Sequence, residues 1–148
     1  MNSIQLDKPF AWGDCFLLGY GPMDRLHHDF VDRVAEAMAV DKNGMLHALE
    51  KVGTHLEEHF SEERLWMESS GFPATECHVE EHEAVLKSYR DVLTHLQEDL
   101  GFENAKSFVL ELSRWFPGHA DYMDASLAQW MSKRTLGGIP VVLRRRKL

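Results

Sequence analysis

Residues 59–82 read HFSEERLWMESSGFPATECHVEEH. His59 and Glu63 stand four residues apart, a Gly71-Phe72-Pro73 break follows, and His78 and His82 again stand four apart. An α-helix advances about 3.6 residues per turn, so each pair occupies one helix face, one side chain above the other. The break lets two such helices turn back against each other. A bundle interior lined with imidazole and carboxylate is costly unless something binds there, and a metal ion is the candidate.

Working outward, apolar residues recur at helical spacing on both sides of this stretch. A first helix is expected over about Pro22–Val40, through Leu26, Phe30, Val34 and Met38, with His27 and Val31 alongside; Pro22 suits a first turn. Asp41-Lys42-Asn43-Gly44 is a turn signal. The second helix runs from about Met45 to Ser69, through Leu46, Leu49, Val52, Leu56, Phe60 and Met67, and stops at Gly71. The third begins near Ala74–Thr75 and reaches about Leu100, with Gly101 ending it; the fourth begins near Glu103 or Asn104 and reaches about Met131. Four long helices on short connections predict an all-α, up-down-up-down antiparallel four-helix bundle. Residues 1–21, with Phe10, Trp12, Phe16, Leu17 and Leu18, read as an arm packing aromatics onto that bundle. The expected division is therefore a bundle domain, arm included, over 1–131 and a tail over 132–148, where Pro140 weakens the one strand-like run.

Composition narrows the function. At 148 residues, 44% hydrophobic and 27% charged, the chain has the balance of an ordinary soluble domain. No apolar run approaches the roughly 20 residues that span a bilayer, and the N-terminus lacks a secretory pattern, so the expected location is cytoplasmic. A formal net charge of −8 argues against nucleic acid as the partner, and Arg144-Arg145-Arg146-Lys147 reads as a solvated end. The two cysteines, Cys15 and Cys77, form no CxxC pair and read as reduced thiols.

Histidine placement carries the chemistry. His27 lies among the apolar positions of the first helix, His59 and Glu63 on the second, His78 and His82 on the third, His119 and Asp124 on the fourth. Five imidazoles and two carboxylates exceed the about four donors of a zinc site. They suit two six-coordinate metals bridged by the carboxylates, and a nitrogen-rich set without thiolate favours iron and other first-row metals over magnesium or calcium.

Together these residues make the chain resemble a bacterial single-domain hemerythrin over about residues 10–130. The resemblance rests on Phe10-Ala11-Trp12, Gly19 ahead of Met23-Asp24-x-x-His27, His59-Phe60-x-x-Glu63, Gly71-Phe72-Pro73, the His78/His82 pair, and Trp115-x3-His119-x4-Asp124. It implies two iron ions, one held by His78, His82 and His119 and the other by His27 and His59. Glu63, Asp124 and a solvent-derived oxygen would bridge them. It also implies reversible dioxygen binding for transport, storage or delivery, with Trp115, Phe116 and Ala120 as candidate lining of the dioxygen pocket.

Three positions depart from the family pattern. Pro117-Gly118 precedes His119 where an unbroken helix is usual, and predicts a kink or bulge, because Pro117 cannot donate to the carbonyl of Ser113. Ala120 replaces a larger aliphatic residue, and Arg64 stands where a second glutamate is common. Among the other histidines, His55 shares the stripe of His59 and Glu63 and reads as a neighbour of the site, while His28, His47 and His95 read as surface residues. Glu57, Glu58, Glu62, Glu80, Glu81 and Glu83 flank the ligand positions, and most of them read as solvated faces. Competing functions are an oxygen, redox or nitric-oxide sensor, a di-iron oxidase or peroxidase, and a zinc-stapled bundle. Di-iron oxidases of the ferritin-like kind use E-x-x-H motifs. No glutamate here lies three residues before any histidine, which favours a binding protein over an enzyme.

Overall fold

Helix α1, Gly21–Ala39, starts where the arm is clipped to it: Asp24 accepts hydrogen bonds from the backbone N–H groups of Leu18 (2.8 Å) and Gly19 (3.1 Å). Gly19 makes that turn at φ 89°, a left-handed conformation natural to glycine. The buried stripe of α1 is Met23, His27, Phe30, Val31, Val34 and Ala37. Leu26 is half-buried and Met38 exposed, contrary to the expected stripe of four-residue steps. Each such step overshoots a full turn by about 40°, so three of them carry Met38 off the core face; alternating steps of three and four stay on it.

The structure, a computed structural model, describes residues 9–135. The first eight residues of the expected arm and the tail from residue 136 lie outside the described residues, strand-like run and basic end included. Helix α2 spans Met45–Ser70 and ends at Gly71, whose left-handed backbone (φ 70°, ψ 35°) places its N–H on the Met67 carbonyl. Helix α3 spans Thr75–Thr94, stopping six residues before its expected end at Leu100. Helix α4, Gly101–His119, begins at the glycine expected to terminate α3. A Cβ on Gly101 would lie 2.0 Å from the Leu96 carbonyl oxygen, so this glycine serves a tight inter-helix turn rather than a helix stop. A π-helical segment, Ala120–Asp124, follows without interruption, and helix α5, Ala125–Thr135, carries the fourth rod past its expected end.

These rods form the expected antiparallel four-helix bundle: α1 packs on α2, α2 on α3, α3 on α4 and α4 on α1. No strand occurs among the described residues. Two apolar clusters fill the interior. One contains Phe16, Phe30, Leu56, Phe60 and Phe116, the other Leu18, Met23, Met67, Phe72 and Leu127. Each rod crosses from one cluster to the other at the polar positions singled out from the sequence. His27 lies between Met23 and Phe30, Glu63 between Phe60 and Met67, and Asp124 between Ala120 and Leu127. The core is thereby split by a buried polar layer. Among the described residues both cysteines are free thiols, and no helix is long and apolar enough to cross a membrane.

Candidate metal centre

The polar layer gathers His27 from α1, His59 and Glu63 from α2, His78 and His82 from α3, His119 from α4 and Asp124 from the π segment, all buried. One donor atom from each of Glu63, His78, His82, His119 and Asp124 lies within 4.8 Å of every other, and His27, His59 and Glu63 form a second group of the same kind.

The carboxylate oxygens divide between the two groups. Glu63 Oε2 is 2.9 Å from His59 Nε2 and 3.5 Å from His27 Nε2, whereas Glu63 Oε1 is 3.5 Å from His78 Nε2 and 3.4 Å from His82 Nε2. Asp124 repeats the arrangement: Oδ2 is 3.0 Å from His27 Nε2, and Oδ1 lies 3.0 Å from His78 Nε2 and 3.2 Å from His119 Nε2. Each carboxylate thus spans two histidine groups, one of two rings and one of three.

Asp124 reaches this position because of the π segment. At about 100° per residue, a five-residue spacing on an α-helix puts two side chains about 140° apart. A π turn bonds i to i+5 instead of i to i+4, and the Ala125 N–H indeed donates to the Ala120 carbonyl. His119 and Asp124 are brought to one face by that wider turn. The bulge foreseen near Pro117 is therefore present but displaced: Pro117 stays inside α4, and the wide turn begins three residues later.

Two of the rings are oriented from behind. His119 Nδ1 lies 2.6 Å from Glu81 Oε1, the oxygen that also accepts from Trp115 Nε1 at 3.2 Å. A carboxylate only accepts, so Nδ1 of His119 carries a proton, and Nε2 is the atom the ring would present to a metal. Against burial, Asp124 and Glu81 hold the ring above the usual imidazole range, so a metal there would displace a proton. Glu81, one of six glutamates most of which are expected on solvated faces, is half-buried and lies against the site; its partner comes from another helix, which spacing within α3 cannot reveal. His55 is no donor to the cluster. It sits 2.9 Å from His59 Nδ1 and 2.7 Å from Asp29 Oδ2, behind His59. The remaining histidines His28, His47 and His95 are exposed, as expected.

Aromatic rings seal the layer. Phe60 stacks on His82 (centroids 3.8 Å apart), Trp115 on His119 (4.3 Å), and Phe116 meets His27 edge-on at 5.0 Å while stacking on Phe30 at 4.7 Å. Ala120 is buried beside Phe116 in the same apolar cluster. Of the three proposed pocket residues, Phe116 borders the two-histidine group and Trp115 the three-histidine group. Phe30 and Phe60, taken from the sequence as plain core, also touch the ligand rings.

The electrostatics ask for a cation. Burial works against the charges of Glu63 and Asp124, yet the surrounding imidazoles hold both carboxyls well below the usual range, so two negative charges stay in the interior. Burial alone would discharge His27, but Asp124 and Glu63 outweigh it and push its value up to about 10; the same pair, again against burial, raises His78 to about 9. His82 is pushed by burial down to about 3. Even so, His27 Nε2, His78 Nε2, Glu63 Oε1 and both Asp124 oxygens make no well-formed hydrogen bond. Buried polar atoms are rarely left so, and five converging on one layer fit metal ligands whose natural partner is a cation.

A four-helix bundle with two histidine groups joined by carboxylates defines a hemerythrin-type metal site. The chain is 34% identical over 127 residues to the bacteriohemerythrin of Ralstonia nicotianae, an alignment covering 83% of this chain and 89% of that protein. The chain belongs to the bacteriohemerythrin family. No family model and no solved structure matches it.

Proposed function

We propose that this protein binds dioxygen reversibly at a non-haem di-iron centre and acts as a carrier or store rather than an enzyme. In this reading His78, His82 and His119 hold one iron, His27 and His59 the other, and Glu63 and Asp124 bridge them. The carrying observation is the division of the carboxylate oxygens: Oε1 and Oδ1 face three imidazoles, Oε2 and Oδ2 face two. Unequal histidine counts leave the two-histidine iron one protein ligand poorer, which is where a small ligand has room. The iron pair would supply the electrons and the open coordination position that dioxygen needs.

The chain's own residues supply the rest. Phe30, Phe60, Phe116 and Trp115 cover the ligand rings with apolar surface, and dryness of this kind protects a bound ligand from hydrolysis and proton leakage. Nitrogen-rich ligation and the lack of any E-x-x-H motif support binding over oxidative turnover. The bundle with its arm is read as one domain, with the C-terminal residues as a tail and the cytoplasm as location.

The test is anaerobic reduction of the iron-loaded full chain, followed by optical spectra before and after dioxygen. A visible charge-transfer band that disappears on deoxygenation is expected, with two irons per chain by metal analysis. Direct conversion to a stable diferric form without that band would overturn the carrier reading in favour of redox sensing or oxidase chemistry. Native zinc with no iron would leave only a stapled bundle.

A further inference from the structure

Behind the two-histidine group runs a polar chain that no metal contact requires. Asp29 Oδ2 is 2.7 Å from His55 Nδ1, and His55 Nε2 is 2.9 Å from His59 Nδ1, whose Nε2 faces Glu63 Oε2 at 2.9 Å. Asp29 is 44% exposed, and Arg33 Nη2 lies 3.4 Å from its other oxygen, which holds the carboxylate in orientation. A surface cavity of about 360 Å³ opens over Asp29, Arg33 and His55, so the chain begins at solvent and ends at the metal layer.

The proton order along this chain is determined by what each group can do. Asp29 only accepts, so the hydrogen lies on His55 Nδ1. A neutral His55 then has its lone pair on Nε2, which accepts from His59 Nδ1–H. Glu63 Oε2, 2.9 Å from His59 Nε2, also only accepts, so that nitrogen is free as a lone pair once a metal takes the place of the proton between them. The three-histidine group has its own counterpart in Glu81 on His119, and that anchor is a single step. The two positions are therefore supported by separate residues from opposite sides of the bundle.

We propose that Asp29 and His55 are positioning residues for the metal held by His27 and His59, locking His59 in the tautomer and orientation that present Nε2 to that metal. The inference rests on the two-metal reading above and assigns Asp29 and His55 to one position of the pair, Glu81 to the other. Hydrogen-bonded partners behind a metal-ligating imidazole typically change affinity by about 10- to 100-fold when removed.

The experiment is chelator competition on the full chain loaded with cobalt(II), followed by its visible absorption, which needs no dioxygen chemistry. His27→Ala and His78→Ala mark which cobalt band belongs to which position. His55→Leu is expected to weaken the His27/His59 position by about 10- to 100-fold and to leave the other as in the parent protein. Glu81→Gln is expected to do the reverse. His55→Gln, whose amide can accept from His59 and donate to Asp29, should recover much of the loss. Equal weakening of both positions by His55→Leu would reduce His55 to a packing residue, and no weakening of either would remove its role; both results overturn the proposal. If His55→Leu does not fold, Asp29→Asn at the half-exposed end of the chain carries the same expectation at the low end of the range. A parent protein that takes up fewer than two cobalt ions overturns the two-metal reading itself, an outcome distinct from the others.

Discussion

Metal loading should expel protons, and the structure says from where. His27 and His78 sit against Asp124 and Glu63, whose charges outweigh the effect of burial and hold the two rings up to about 10 and about 9. Metal binding needs neutral imidazoles, so each ring must lose its proton to become a ligand. His27 serves one group and His78 the other, where Asp124 and Glu81 also raise His119 against burial, so each position carries at least one such competitor. At pH 7 the competition weakens apparent affinity by about a thousandfold at the His27 position and about a hundredfold at the His78 position, roughly 4 and 3 kcal/mol. The sign is fixed by folded values above the ordinary 6.5. Affinity rises about tenfold per pH unit at each position from about pH 7 to 9, then levels off as the rings discharge. In chelated protein the same protons stabilise the fold at neutral pH, and that contribution is lost as pH climbs through about 9 to 10.

Zinc(II) is a suitable probe because it has no redox chemistry. Calorimetric titration of chelated protein in two buffers of different ionisation enthalpy gives the proton count directly. About two protons or more per chain should leave at pH 7 when both positions fill. Release of fewer than about one, or an apparent affinity flat between pH 6 and 8, would show that the carboxylates do not keep these rings charged, and would refute the reasoning.

Three further outcomes follow from the packing. Gly53→Ala places a Cβ 2.0 Å from the Tyr89 ring across the α2–α3 contact, so thermal melting should show a loss of about 1–3 kcal/mol, and an unchanged melting temperature would mean that Tyr89 moves freely aside. Asp24→Ala removes the acceptor of the Leu18 and Gly19 N–H groups; it should loosen the arm, read as faster limited proteolysis ahead of α1, with a cost of about 1–3 kcal/mol. Pro117→Ala should raise stability, by up to about 3 kcal/mol, while metal stoichiometry stays the same; loss of a metal would show that the proline shapes the site.

The helices are legible because their apolar spacing is a one-helix property, and so are the buried polar pairs four residues apart, His59 with Glu63 and His78 with His82. Glu81 and the Asp29–His55 chain are not, since their partners lie on other helices and depend on how the rods rotate against one another. The α3–α4 turn was misread for a related reason. Gly101 resembles a helix stop, but what demands glycine there is the approach of the Leu96 carbonyl, a contact visible only once the chain has turned.

Asp124 is the sharpest case, because straight helical geometry argues against it. Five residues after His119 it should point away from the cluster, although the sequence offers it beside His119 as the fourth helix's carboxylate. Pro117 hinted at irregular helix, yet the donor it lacks belongs to the bond with the Ser113 carbonyl, on the N-terminal side of the widened turn at 120–124. Nothing in that turn demands a special residue: its members Ala120, Asp121, Tyr122 and Met123 all fit an α-helix, and Tyr122 is 84% exposed. What holds the turn open must then come from its two ends, where His119 and Asp124 meet the same buried layer and Ala120 and Leu127 enter opposite apolar clusters. A regular α-helix would keep Ala120 and Leu127, seven residues apart, on one face, but would turn Asp124 about 140° away from His119. The extra residue of the π turn returns Asp124 to the layer that His119 enters.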